Sequence, residues 1–177
     1  MHLPDDWREA ADRIAGRQET VRPLAMVVGV PDVGKSTFCA YLATRLAASG
    51  WSTALVAAAV GQSSIGPPAA ISGGLVVQPI HSLAEVAPSA SYFVGSISPE
   101  GRLLASVVGV QRVASRLRDQ GAQAVVVDTS GLALGSSGQA LKEHKADLLQ
   151  PSDIVIVQRA GELEHLANLW QGAGAAA

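Results

Sequence analysis

Gly29-Val30-Pro31-Asp32-Val33-Gly34-Lys35-Ser36-Thr37 follows the apolar run Leu24–Val28 and leads into a helical pattern over residues 38–46. The spacing is G-x-x-x-x-G-K-[ST], set between strand and helix as a phosphate-binding loop requires. Gly29 and Gly34 let the backbone turn tightly, so amide N–H groups from Pro31 to Thr37, proline excepted, converge on phosphate oxygens. The helix start adds unpaired N–H groups and the positive end of its dipole. Lys35 can bridge the β- and γ-phosphates, and the Ser36 hydroxyl can take a place on Mg²⁺. Gly29, Pro31, Asp32, Val33, Gly34, Lys35, Ser36 and Thr37 are therefore the candidate nucleotide-binding residues, with ATP and Mg²⁺ as implied ligands.

The rest of the chain supports one domain around this loop. Its 177 residues, 48% hydrophobic, can bury a sizeable core without dividing. A net charge of −2 gives no global attraction to nucleic acid, so such binding needs a local patch. The single cysteine, Cys39, excludes a disulfide framework and points to a reducing compartment. Asp5, Asp6 and Glu9 make the first residues too acidic for a secretory leader, and no apolar run approaches the ~20 residues that span a bilayer. A soluble, cytoplasmic protein is expected.

Strand and helix patterns alternate. Helices are expected over residues 4–16, 35–50, 101–120, 139–149 and 161–170, and strands over 24–28, 53–60, 75–78, 92–94, 124–127 and 153–157. Residues 61–74, rich in Gly, Pro and Ser, read as a loop, and residues 172–177 as a frayed tail. This order predicts an α/β P-loop NTPase fold, a mostly parallel sheet with helices on both faces. Ligands in such sheets sit at the carboxyl ends of the strands. That edge gathers residues 57–62, 95–100 and 128–131 beside the phosphate loop. Asp128, after Val125-Val126-Val127, can support Mg²⁺ there together with Ser36; Lys35 and Asp128 are the candidate catalytic residues. His81, His144 and His165 lack metal-ligand spacing. Arg102, Arg112, Arg116 and Arg118 crowd one helical region and read mainly as a solvated face.

Three further segments occur in order: Gly61-Gln62-Ser63-Ser64-Ile65-Gly66-Pro67-Pro68, Tyr92-Phe93-Val94-Gly95-Ser96-Ile97-Ser98-Pro99 and Asp128-Thr129-Ser130-Gly131-Leu132. With the phosphate loop, they resemble the P-loop polynucleotide 5′-hydroxyl kinases, which include the kinase subunit of the pre-mRNA cleavage complex and its archaeal and ribosomal-RNA-processing relatives. The resemblance implies ATP-dependent phosphorylation of a 5′-hydroxyl end of RNA or DNA. It places acceptor contacts on Gln62, Ser98, Pro99 and Thr129. The sequence also departs from that family. Relatives carry D-x-D-x-G-Q where this chain has Ala57-Ala58-Ala59-Val60-Gly61-Gln62, so Ala57 and Ala59 stand at two vacant acid positions. By the resemblance, the second acid accepts the proton of the attacking hydroxyl and the first lies near the metal. Ser64 replaces a commonly acidic residue and Val33 a commonly small polar one. No Lys or Arg follows Arg159, where relatives supply arginines from a lid.

Three readings stay open on sequence: an active polynucleotide kinase, a catalytically impaired nucleotide-binding relative serving as a scaffold with a protein partner, and another P-loop enzyme. The Gly61–Pro68 segment argues against the last.

Overall fold

The structure, a computed structural model, describes residues 3–18, 20–62 and 64–172. The tail expected to fray therefore lies outside the described residues from 173 onward, as does Ser63. Five α-helices and six strands follow one another among the described residues: α1 (Asp5–Ala15), β1 (Leu24–Val28), α2 (Lys35–Ala48), β2 (Thr53–Ala58), β3 (Ala70–Leu75), β4 (Ala90–Phe93), α3 (Leu103–Asp119), β5 (Ala124–Thr129), α4 (Gly135–Leu149), β6 (Asp153–Ile156) and α5 (Glu164–Gly172), with a 3₁₀ turn at Leu83–Glu85 between β3 and β4. They build one six-stranded sheet in the order β4-β3-β2-β5-β1-β6. β2, β5, β1 and β6 are parallel, and β3 pairs antiparallel with both β2 and β4. Five strands thus end at the same edge, and β3 alone runs the other way.

The central strands are buried throughout, and apolar apart from Thr53, Asp128 and Thr129, because both sheet faces are covered. Their side chains alternate between two cores. Ala25, Val27, Leu55, Ala57 and Val126 pack against α1 and α2. Met26, Val28, Val56, Ala58 and Val127 pack on the opposite face, with α3 and α5 residues such as Val110, Leu117 and Leu166. On β5 this period of two aims Asp128 at the α2 face and Thr129 at the α4 face, a division that shapes the site. No helix among the described residues is long and apolar enough to cross a membrane.

The region after β2 differs from expectation. The stretch anticipated as loop becomes a strand from Ala70, and the strand anticipated at 75–78 ends at Leu75. Ser72, Gly73 and Gly74 carry almost no strand propensity. Tertiary packing overrides this: a Cβ at Gly73 would lie 2.6 Å from the Leu55 carbonyl oxygen and 2.9 Å from Leu117. Only glycine lets β3 slip between β2 and α3. α4 likewise starts at Gly135, four residues before the 139 expected. β5 continues through Thr129, so Asp128 lies inside the strand, one residue short of its end.

Candidate nucleotide and acceptor cleft

The phosphate loop leaves β1 and turns into α2 through Gly34, whose φ is +100°. A side chain is excluded there twice over, by that backbone angle and by Trp7 of α1, whose ring would lie 2.9 Å from a Cβ. Trp7 is held by an edge-to-face contact with Phe38, centroids 5.3 Å apart. α1 is fastened further by the Trp51 indole, which donates to the Ala15 carbonyl at 3.1 Å, and by the Arg45–Asp12 ion pair. Nothing in the helical pattern over residues 4–16 foretells that α1 braces the phosphate loop.

Inside the loop, Lys35 Nζ donates to the Val30 carbonyl at 2.6 Å. Burial lowers the Lys35 pKa, an effect opposed by Asp128. The Ser36 hydroxyl donates to Asp128 Oδ2 at 2.6 Å, across 92 residues of sequence. Asp128 is buried, and that burial raises its pKa, while the Ser36 hydrogen bond and the charge of Lys35 hold it down. Its other oxygen, Oδ1, is buried without a partner. A buried, orphaned carboxylate oxygen beside a serine hydroxyl is the donor set of a hard cation, so these residues fit Mg²⁺. Arg159 approaches from the far side, donating to the Asp32 carbonyl at 2.6 Å.

These groups open into a cleft of about 670 Å³. Its walls include Pro31, Asp32, Gly34, Lys35, Ser36 and Thr37 of the loop and Asp128 of β5; Ala59, Gln62, Ile97 and Pro99 lie opposite. Gly29 and Val33 support the loop from behind, a Cβ at Gly29 meeting the Val157 carbonyl oxygen and the Val33 methyl. Gly131 touches Pro31 so closely that a Cβ would lie 2.8 Å from the proline ring, which draws the β5–α4 turn onto the phosphate loop.

The expected acceptor residues divide. Gln62 is exposed and Pro99 half-buried, and both line the cleft. The Ser98 hydroxyl caps its own turn by accepting from Glu100 N at 3.2 Å. The Thr129 hydroxyl points into the α4-side core, donating to the Val27 carbonyl at 2.7 Å. Of the two vacant acid positions, Ala59 lines the cleft and Ala57 does not. Ala57 is buried and sits in register with Asp128 on the neighbouring strand.

Two residues went unassigned in the sequence. Lys142 and Lys145 of α4 are buried, and their ammonium groups reach the strand ends: Lys142 Nζ donates to Thr129 Oγ1 at 2.9 Å and Lys145 Nζ to the Ala58 carbonyl at 3.4 Å. Burial lowers both pKa values, that of Lys145 to about 8. Their signal was weak because i,i+3 lysines on an exposed helix read as solvated. Of the crowded arginines, Arg118 is tied to the Gln123 and Pro23 carbonyls at 2.8 and 3.1 Å, while Arg112 lies 6.0 Å from the Tyr92 ring centroid.

A phosphate loop whose lysine, serine and strand aspartate converge at the carboxyl edge of a mostly parallel sheet defines a P-loop NTPase-type nucleotide-binding domain. Comparison with known proteins places it further. Residues 29–176 match the family described as mRNA cleavage and polyadenylation factor CLP1 P-loop, and the chain belongs to that family. The polyribonucleotide 5′-hydroxyl-kinase of Pyrococcus furiosus is 36% identical over 166 residues, covering 94% of this chain and 46% of the relative. That of Thermococcus kodakarensis is 37% identical with the same coverage, 94% and 46%. The chain thus spans less than half the length of these relatives. A solved structure of the wild-type Clp1p–Pcf11p complex shares the fold, with TM-score 0.69 and 14% identity over 98% of this chain and 46% of the matched one.

Proposed function

We propose that the chain is the phosphoryl-transfer domain of an ATP-dependent polynucleotide 5′-hydroxyl kinase. The observation that carries this reading is the placement of Lys35, Ser36 and Asp128 across one cleft from Gln62 and Pro99. In the reaction, the 5′ oxygen of the polynucleotide attacks Pγ of ATP, the β–γ bridging P–O bond breaks, ADP departs, and the hydroxyl proton passes to a base or to water. Lys35, released from the Val30 carbonyl, holds the β- and γ-phosphate oxygens. Ser36 and Asp128 would hold Mg²⁺, which neutralises phosphate charge when bound. The loop amides orient the triphosphate, and Gln62 with the Ile97–Pro99 wall positions the acceptor end. Ser98 acts there by shaping the wall from behind, while Thr129 lines the cleft with its hydroxyl bonded to the Val27 carbonyl. RNA is the favoured acceptor because the relatives are named polyribonucleotide kinases.

A specific observation favours a second reading, slow or absent transfer with nucleotide binding retained. The carboxylates lining the cleft are Asp128, engaged by Ser36, and Asp32, at the exposed turn of the loop. A general base contributes ~10²–10⁴ in rate, and Ala59 cannot supply it. The described lining residues also include no arginine; one delivered by a protein partner would add ~10³–10⁵.

The deciding experiment is transfer of labelled γ-phosphate from ATP to short 5′-hydroxyl RNA and DNA in parallel, with nucleotide binding measured on the same samples. Transfer that disappears with Lys35→Ala establishes the kinase. Tight ATP binding without transfer establishes the second reading.

A further inference from the structure

The inner face of α4 carries two buried lysines that form no ion pair among the described residues. Lys142 is 0% and Lys145 1% exposed. The ion pairs among the described residues lie elsewhere: Arg8 with Asp5, Arg17 with Asp153, Arg45 with Asp12. Lys142 donates to Thr129 Oγ1 at 2.9 Å, to Ser130 Oγ at 3.4 Å and to the Ser130 carbonyl. Lys145 has the Ala58 carbonyl at 3.4 Å and no other described partner. The nearby carboxylate, Asp128, also faces Lys35 and is bonded to Ser36. Asp128 is thus the one carboxylate shared by Lys35, Lys142 and Lys145.

Burying two ammonium groups on one carboxylate that is already engaged is unfavourable, and burial pulls both pKa values down. Hydrophobic residues of similar volume would suit the fold better, so the arrangement needs a reason outside the folded chain itself. Position supplies it. Thr129 and Ser130, which hold Lys142, line the cleft, and Ala58, which holds Lys145, immediately precedes the lining residue Ala59. Both ammonium groups therefore stand one residue behind the cleft wall, in a low-dielectric setting where charge acts over several ångströms.

We propose that Lys142 and Lys145 form a buried cationic floor whose counter-charge is brought by the ligand, the polyphosphate chain of a bound nucleotide. They are positioning residues, acting through the wall and through the field they place across it. The proposal rests on the reading of the cleft as a nucleotide site and is independent of whether transfer occurs.

Its signature is an opposition between stability and binding that a structural lysine does not show. Thermal unfolding and ATP affinity are measured on the unaltered chain, on Lys145→Met and on Lys142→Met, with Mg-ATP and with inorganic tripolyphosphate, at matched ionic strength. The free Lys145→Met protein is expected to melt at or above the temperature of the unaltered chain. Its ATP affinity falls roughly tenfold, as loss of one charge behind the wall dictates, and its ligand-induced melting shift shrinks accordingly. Tripolyphosphate alone raises the melting temperature of the unaltered chain, a result independent of any variant. Lower melting of the free variants combined with undiminished ATP affinity, or an unaltered chain whose melting temperature does not respond to tripolyphosphate, overturns the proposal. So does a Lys145→Met protein that binds ATP as the unaltered chain does. If the unaltered chain ignores ATP altogether, the nucleotide-site reading itself falls; a response to ATP without tenfold dependence on these lysines sinks only the cationic floor.

Discussion

Ala59→Asp tests the chemistry of the cleft most directly. Ala59 is half-buried and lines the cleft, following the last residue of β2, so a carboxylate there stays solvated and reaches the acceptor side. The substitution should change folding stability by no more than about 1 kcal/mol, as for other sites outside the core. A proton acceptor at the attacking hydroxyl is worth ~10²–10⁴ in rate, or about 3 to 5 kcal/mol of barrier. The gain should appear in kcat with KM for ATP unchanged, because the base meets the 5′-hydroxyl and not the nucleotide. Ala57→Asp is a contrasting control: Ala57 is 3% exposed and registers with Asp128, so a second acid there enters the core beside a first. It should cost about 1–3 kcal/mol of stability and help turnover less. The assay is single-turnover transfer from labelled ATP to a 5′-hydroxyl RNA, with melting curves on the same proteins. An Ala59→Asp protein that folds, binds ATP and transfers phosphate no faster than the parent refutes the missing-base reasoning.

Three further outcomes follow from the geometry. Gly34→Ala must place a side chain at φ +100° against the Trp7 ring, which should lower stability by about 1–3 kcal/mol and weaken ATP binding; adding Trp7→Ala should recover only the steric part in a double-mutant cycle. Asp128 is held above its ordinary pKa of 3.8, chiefly by burial, so its contribution to stability is full below that pH and fades as pH rises through the folded value. Asp128→Asn should therefore flatten that pH dependence and leave the free protein at least as stable at pH 7, while Mg²⁺-dependent ATP binding drops; calorimetry over a pH series checks both. Arg17 pairs at 2.6 Å with the fully buried Asp153 and is itself partly exposed, so Arg17→Met should cost about 2–4 kcal/mol in urea denaturation, with ATP affinity unchanged.

The main elements were legible because their signals are local. An apolar run, a glycine-spaced loop and an amphipathic helix announce β1, the phosphate loop and α2 within some 25 residues. Asp128 was legible too, as a lone carboxylate closing Val125-Val126-Val127. β3 was not: Ser72-Gly73-Gly74 carries loop composition, and its strand state depends on Leu55 and Leu117 pressing from other elements. Of the residues expected to face an acceptor, Gln62, Pro99 and Thr129 line the cleft, while the Ser98 and Thr129 hydroxyls are engaged within the fold.

By itself, then, the chain's order of residues determined which groups can handle phosphate, because Gly34, Lys35 and Ser36 act through backbone and side-chain chemistry confined to one turn. Tertiary structure alone decided which distant groups share their field. Alternation along β5 turns Asp128 toward Ser36 and Thr129 toward Lys142, and the strand order β2-β5-β1 brings Ala59 and α4 to the same edge. Burial, moreover, is a property of the packed whole. Lys142 and Lys145 are ordinary surface residues in the sequence, and they become buried amines behind the cleft wall only once α4 docks on the sheet.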